Sequence, residues 1–192
     1  MMQARDAVLI STFTALIAVL GMIPPIPIAF IPVPITIQTL GVILAGLLLK
    51  PKNAAISVAI FLVLVAIGMP LLSGGRGGLG VFLGPSSGFL ISWLISAYTI
   101  GYIRNHLGNS LMACIFSSVI GGILLMYPIG ILVMSLITGM ELESAVIASL
   151  VFFPGDIFKV IIASIISAHV LRAYPSNILC CLLYTSPSPR DS

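Results

Sequence analysis

From Leu111 to Thr138 the chain carries no charged residue, and this uninterrupted run constrains the fold more than any other feature. About 20 predominantly apolar residues are enough for a helix to cross the hydrocarbon core of a bilayer. Similar runs recur along the sequence, so that 59% of the 192 residues are hydrophobic and 7% charged. A soluble domain carries about 25% charged residues. The runs are far longer than the roughly ten-residue alternating strands of a membrane barrel, so the chain reads as an all-α integral membrane protein surrounded by lipid. Six spans are expected: Ala7–Ile23, Ile35–Leu49, Asn53–Met69, Gly88–Arg104, Leu111–Thr138 and Ile157–Arg172. The fifth contains Gly121-Gly122 and Tyr127-Pro128, which predicts a kink or break near Pro128. Residues 144–153 are apolar but too short to cross, and are expected at the membrane interface. The first run is span-length and has no small-residue cleavage site after it, so it reads as the first helix and not as a leader.

The remaining composition excludes several classes of function. The net charge is +3 and the basic residues are scattered, so nothing points to nucleic acid. Cys114, Cys180 and Cys181 have neither metal spacing nor the pattern of a disulfide framework, and Cys114, inside an apolar run, reads as a small core residue. His106 lies in a polar turn far from His169, so no metal site is expected, and no cofactor. A Walker-A loop, a metal-binding His-Glu helix motif and a Gly-x-Ser-x-Gly elbow are all missing from the sequence. If such a chain moves a solute uphill, the energy comes from a partner or an ion gradient.

Against this oily background a few stretches stand out. Residues 71–88 contain Gly74, Gly75, Gly77, Gly78, Gly80, Gly84 and Gly88. Glycine this dense loses too much backbone freedom to make a stable helix. Leu79, Val81, Phe82 and Leu83 want burial, so the stretch is also a poor flexible linker. Irregular backbone near a bilayer persists only where protein or a water-filled cavity covers it. The loop is therefore either a wall or lid of a binding site, or a tight connector whose glycines permit close helix packing. Pro24, Pro25, Pro27, Pro32 and Pro34 make a stiff, non-helical connection before the second span, which opens with Thr36, Gln38 and Thr39. A primary amide at that depth needs partners. Gln38 either makes a helix–helix hydrogen bond or faces a polar cavity. On the first span Ala7, Ser11 and Ala15 recur every fourth residue, with Thr14 and Ala18 beside them. Such spacing lets another helix approach closely, either within this protein or from a separate membrane partner.

Asp156 and Lys159 are three residues apart at the start of the last span, and so share one helix face. Charges at a membrane boundary are costly and tend to be functional. The ammonium of Lys159 suits a ligand carboxylate. Asp156, in the first helical turn, can orient that lysine or accept a ligand N–H. The alternative is a structural ion pair or a helix cap. If the six spans alternate in direction, Arg5, Lys50, Lys52, Arg104 and Arg172 fall on one side, and Arg76 and Lys159 on the other. The positive-inside rule then makes both termini cytoplasmic and places the glycine loop, between the third and fourth spans, outside with the charged pair.

Three of these stretches carry a resemblance to a known family. Pro32-Val33-Pro34-Ile35-Thr36-Ile37-Gln38-Thr39-Leu40-Gly41 resembles the signature before the second helix of the BioY family, the biotin-specific substrate-binding subunits of energy-coupling factor transporters. Gly74-Gly75-Arg76-Gly77-Gly78-Leu79-Gly80 through Gly84-Pro85 is similar to that family's glycine loop, and Phe153-Pro154-Gly155-Asp156-Ile157-Phe158-Lys159 to its Pro-Gly-Asp-x-x-Lys motif. The resemblance implies a multi-pass subunit in the plasma membrane of a prokaryote. It would capture biotin outside and deliver it inward with a transmembrane coupling subunit and two cytoplasmic ATPase subunits. It also implies that Asp156 and Lys159 hold the polar ends of biotin, with Lys159 on the valerate carboxylate. Gln38, Gly74, Gly75, Arg76, Gly77 and Gly78 would line the pocket, and the Ala7, Ser11, Ala15, Thr14, Ala18 face would dock the coupling subunit. Ser86 stands where the family often has threonine and keeps a hydroxyl, whereas Phe89 stands where it often has tyrosine and loses one. A stand-alone transporter of a small carboxylate and an intramembrane enzyme with Asp156 as base are the competing readings. The resemblance spans about residues 5–172, taken as one membrane domain (1–172). Residues 173–192 read as an atypical, non-native tail.

Overall fold

The computed structural model describes residues 4–27 and 33–173, and within them the ordered elements are helices, with no strand beyond two isolated bridges. Pro32 of the proline-rich connection, and the tail with Cys180, Cys181 and Arg190, lie outside the described residues. Helix α1 is Ala4–Gly21, α2 Gln38–Leu48, α3 Pro51–Ala66 and α4 Ser87–Leu107. Then come α5 (Leu111–Val119) and α6 (Met126–Thr138), α7 (Leu142–Leu150) and α8 (Phe153–Ala173). Helices α5 and α6 are two parts of one rod, joined by a π-turn over Ile120–Leu124.

Local signals explain the boundaries. Pro51 starts α3, where its missing N–H costs nothing, and the Ser110 hydroxyl caps α5 by accepting from the amide of Ala113 at 3.1 Å. Gly139, left-handed at φ +70°, closes α6. The second helix begins at Gln38 and not at Ile35, because Ile35 is bonded across to Ile26 in a short antiparallel bridge. The last helix begins at Phe153, so Pro154, Gly155 and Asp156 lie inside its first turn. Within residues 144–153, α7 packs on α6 and α8.

At the centre is α2, whose residues Gly41 to Leu47 are all buried. A helix that is apolar all round belongs inside the bundle. Around it stand α1, α3, α4, α5 and α8. The outward faces of the bundle stay apolar, with Val63, Met112, Phe116, Leu132 and Leu136 all exposed. Water would not tolerate so much apolar surface, whereas a lipid environment does. Helix α1, the Leu111–Thr138 rod and α8 are each long and apolar enough to cross a membrane. The chain is a helical membrane protein.

The bundle has two chemically different ends. At one end Asp6 bonds Asn53 at 2.9 Å and lies 3.7 Å from Lys50, while the Arg104 guanidinium donates to the Leu49 carbonyl at 3.2 Å. These contacts tie the start of α1, the α2–α3 turn and the end of α4 together among basic side chains. At the opposite end the start of α2, the glycine loop and the start of α8 surround a cleft.

Candidate functional site

The glycine-rich stretch makes one wall of the cleft and is folded by short-range bonds. The Leu72 amide donates to the Arg76 carbonyl at 3.0 Å, closing a tight turn over Gly74 (φ +83°) and Gly75 (φ +68°). Both residues sit in the left-handed region that side chains with a Cβ avoid. The Gly78 amide then donates to the Val65 carbonyl at 2.7 Å, pinning the loop to the end of α3. A short 3-10 turn, Leu79–Phe82, leads towards α4.

Gln38 holds this loop in place. Its amide nitrogen donates to the carbonyls of Ile17 (3.1 Å) and Leu71 (3.0 Å), and its oxygen accepts from the Ser73 amide (3.3 Å). One side chain thus ties α2 to α1 and to the strand-like run before the glycine turn, and it is fully buried while doing so. Gly21 makes room for it: a Cβ there would collide with the Leu71 carbonyl and the Gln38 amide.

On the other wall, α8 presents Asp156 and Lys159. The Lys159 ammonium donates to Asp156 Oδ1 at 2.7 Å and to the Thr39 hydroxyl at 2.9 Å. The second oxygen of Asp156 accepts from the Tyr127 hydroxyl at 2.7 Å. The two charged side chains are 10% and 15% exposed, so the pair is a nearly desolvated, electrically neutral unit. It braces three helices: α2 through Thr39, α6 through Tyr127, and α8 itself.

Between the walls lies a cleft with about 670 Å³ of empty space, part of it open to solvent. Phe89, Trp93, Leu72, Met126 and Phe152 give it apolar sides. Its polar groups come from Asp156, Lys159 and Thr39 on one side and from Ser73, Arg76 and Ser86 on the other. The Ser73 hydroxyl and the Trp93 indole N–H are buried and have no partner among the described residues. Buried polar groups are rarely left unpaired, so these two are available to a polar ligand. Arg76 is exposed, donates its Nε to the Ser73 carbonyl at 3.2 Å, and forms no salt bridge among the described residues.

Among the residues singled out in the sequence, Gln38, Arg76, Ser86, Asp156 and Lys159 line this cleft. Gly74 and Gly78 shape its loop without lining it, and Gly75 and Gly77 face a shallow depression outside, which Arg76 and Ser86 border as well. The small residues of α1 divide. Ala7, Ser11 and Ala15 are exposed in a row, whereas Thr14 is buried and donates to the Ser57 carbonyl of α3 at 3.0 Å, and Ala18 packs against the core. Tyr127 was not legible as a site residue, since a tyrosine inside an apolar run has no mark of its own. The Pro128 beside it was the one available signal.

Fold and cleft together define a helical membrane protein with a cleft, apolar-walled and polar at both sides, at one end of the bundle. Comparison with known proteins makes the class specific. The model of the BioY family matches residues 1–176. A biotin transporter BioY of Rhizobium etli is 42% identical over 181 residues, covering 91% of this chain and 97% of the relative. A probable biotin transporter BioY of Bacillus subtilis is 44% identical over 174 residues, covering 90% and 94%. The fold matches, with TM-score 0.84 and 37% identity over 87% of this chain and 90% of the other, a crystal structure described as the S-component for biotin from an ECF-type ABC transporter. The chain belongs to the BioY family. Its relatives are named transporters, and the solved structure is a transporter component, so the reading as an intramembrane enzyme is set aside.

Proposed function

We propose that this chain is the biotin-binding subunit of an ATP-driven uptake system in the plasma membrane of a prokaryote. The observation that carries the reading is the neutral Asp156–Lys159 pair in a cleft whose walls are otherwise largely apolar. Biotin has a ureido ring with two N–H donors and one carbonyl acceptor, an apolar thioether ring and chain, and a terminal carboxylate. A carboxylate and an ammonium held side by side can serve a group that both donates and accepts. Phe89, Trp93 and Phe152 fit the apolar middle. Because the charge of Lys159 is already compensated at 2.7 Å, the ligand carboxylate is better served by Arg76, which has no acidic partner among the described residues. Asp156 and Lys159 accordingly take the ureido end, and Arg76 and Ser86 at the mouth take the carboxylate end. Gln38 and Gly74, Gly75, Gly77 and Gly78 hold the loop that completes the site.

In this reading residues 1–172 form one domain with six spans, and Arg5, Lys50, Lys52, Arg104 and Arg172 set the opposite end of the bundle in the cytoplasm, with both termini. The cleft then opens outward. The exposed row Ala7, Ser11, Ala15 on α1 docks the transmembrane coupling subunit, and two cytoplasmic ATPase subunits supply the energy.

Equilibrium binding to the detergent-solubilised protein tests this. Wild type, Lys159→Ala and Arg76→Ala are titrated with biotin and with biotin amide, which lacks the charged carboxylate. Lys159→Ala should lose roughly 2–5 kcal/mol for both ligands, as for one side of a desolvated charge pair. Arg76→Ala should lose about 1.5–3 kcal/mol for biotin, the value of a hydrogen bond to a charged group, and little for the amide. If Lys159→Ala alone abolishes the preference for biotin over its amide, the orientation is reversed. A wild type that binds neither ligand refutes the function.

A further inference from the structure

Tyr127 is buried, lies 2.7 Å from Asp156, and does not line the cleft. Its ring is clamped edge-on by Phe89 of α4, with centroids 6.4 Å apart, and by Phe153 of α8 at 6.3 Å. A phenol held on two sides has one direction left for its hydroxyl. Gly130, one turn further along α6, gives Phe89 its place, since a Cβ there would strike the Phe89 ring.

The backbone before Tyr127 is what aims it. Pro128 has no amide hydrogen, and in a regular helix its ring would meet the carbonyl of Leu124. The chain absorbs this with the π-turn at Ile120–Leu124, where the Leu125 amide donates to the Ile120 carbonyl at 3.0 Å in place of Gly121. A π-turn adds one residue to a helical turn, so side chains beyond it are rotated relative to a continuous α-helix. In the observed register Tyr127 points at α8, and Pro128 is exposed on the outside.

Asp156 therefore has one oxygen engaged by Lys159 and the other by Tyr127. A carboxylate offers about four lone-pair sites, so each oxygen still has one left for a ligand in the cleft. With both oxygens bonded on the protein side, rotation about the Cβ–Cγ bond is blocked and the remaining lone pairs keep fixed directions. The geometry points to Tyr127 as a positioning residue for ligand recognition: it holds the Asp156 carboxylate in the plane that the ligand's N–H donors require, without touching the ligand. This rests on the reading that Asp156 meets the ureido group of biotin.

Tyr127→Phe keeps the ring and its two edge contacts and removes only the hydroxyl. Biotin and biotin amide are titrated against wild type and variant, and both proteins are melted without ligand. Once the carboxylate is free to turn, its own charge-assisted hydrogen bond to the ligand is misaligned, and losing that bond should weaken binding about 10- to 150-fold. The loss should be the same for biotin and its amide, because the affected end is the ureido end. The unliganded melting temperature should fall by no more than about 12 °C, the cost of the one hydrogen bond from Tyr127 to Asp156. Unchanged affinity in the variant, with a wild type that binds biotin, overturns the positioning role and leaves the function standing. A loss of affinity accompanied by a fall in melting temperature of more than about 12 °C assigns Tyr127 to packing instead. A loss confined to biotin and absent for the amide places Tyr127 at the carboxylate end and overturns the proposal. A wild type that binds neither ligand refutes the function and the proposal with it.

Discussion

Replacing Lys159 by alanine should destabilise the unliganded protein more than removing both members of its pair. The ammonium and carboxylate are 2.7 Å apart and 10% and 15% exposed, so neither is well solvated. Breaking a buried pair from one side costs about 3–5 kcal/mol, because the orphaned charge stays behind in a poor solvent. One feature here reduces that cost: Asp156 keeps the Tyr127 hydroxyl. About 2–4 kcal/mol remains for Lys159→Ala. Removing both charges in an Asp156→Asn, Lys159→Met double variant leaves no orphan, keeps the volume and lets Tyr127 donate to the new amide oxygen. Such double replacements are often neutral, so this variant should lie within about 1 kcal/mol of wild type. At roughly 2–4 °C per kcal/mol for a chain of this size, the single variant should melt about 4–16 °C lower and the double variant within a few degrees. Thermal unfolding in detergent without ligand reads both. If the double variant melts as low as Lys159→Ala, charge compensation is not what the pair contributes. If the single variant melts like wild type, Asp156 does not depend on Lys159 at all, and the description of the pair as one neutral unit fails.

Other substitutions test the remaining parts. Gln38→Leu leaves the Leu71 carbonyl and Ser73 amide without their partner and should cost roughly 2–5 kcal/mol in stability, read by the same melting assay, with the binding of biotin weakened as the loop loosens. Gly75→Ala meets no atom within 4 Å, so only the left-handed backbone at φ +68° opposes it; a loss of about 1–2 kcal/mol is expected, and no loss would mean the turn has relaxed. Trp93→Phe removes a buried N–H that has no partner among the described residues, so the unliganded protein should gain up to about 1 kcal/mol while biotin binding weakens if the ligand satisfies that donor.

The expected spans and the observed helices agree where long apolar runs meet clear stop signals. They part by a few residues where tertiary bonds decide. Ile35 reads as the start of a span because it is apolar and follows Pro34, yet its amide and carbonyl are spent on Ile26 across the connection, so the helix waits until Gln38. Asp156, Lys159 and Gln38 stood out for one physical reason. In a chain with 7% charged residues, a polar group inside or beside an apolar run is expensive, and its retention calls for a partner. What the one-dimensional pattern could not supply was the partner's identity. Gln38 is compatible with a helix contact or a pocket wall, and the structure has it do both: its amide is spent on the backbone of α1 and the loop, and it borders the cleft. The α1 stripe was ambiguous in the same way, and it splits between an exposed row and a buried one because Thr14 and Ala15 are separated by about 100° around the helix.

Tyr127 shows why such a limit is physical. A tyrosine in an apolar run is as compatible with a membrane-interface position as with a buried contact, because one end of the ring is apolar and the other polar. Which applies depends on the direction of one Cα–Cβ bond. That direction depends on the helical register accumulated from Leu111, and the register changes by a residue at the π-turn. Pro128 marks that something must yield nearby, but a proline can be accommodated by a kink, a break or a π-turn, and these aim the neighbouring side chain differently. The choice among them is made by Phe89, Phe153 and Gly130, which come from three separate helical turns and close around the ring only when α4, α6 and α8 are assembled. The charged pair announces itself locally, whereas the group that orients it exists only in the packed bundle.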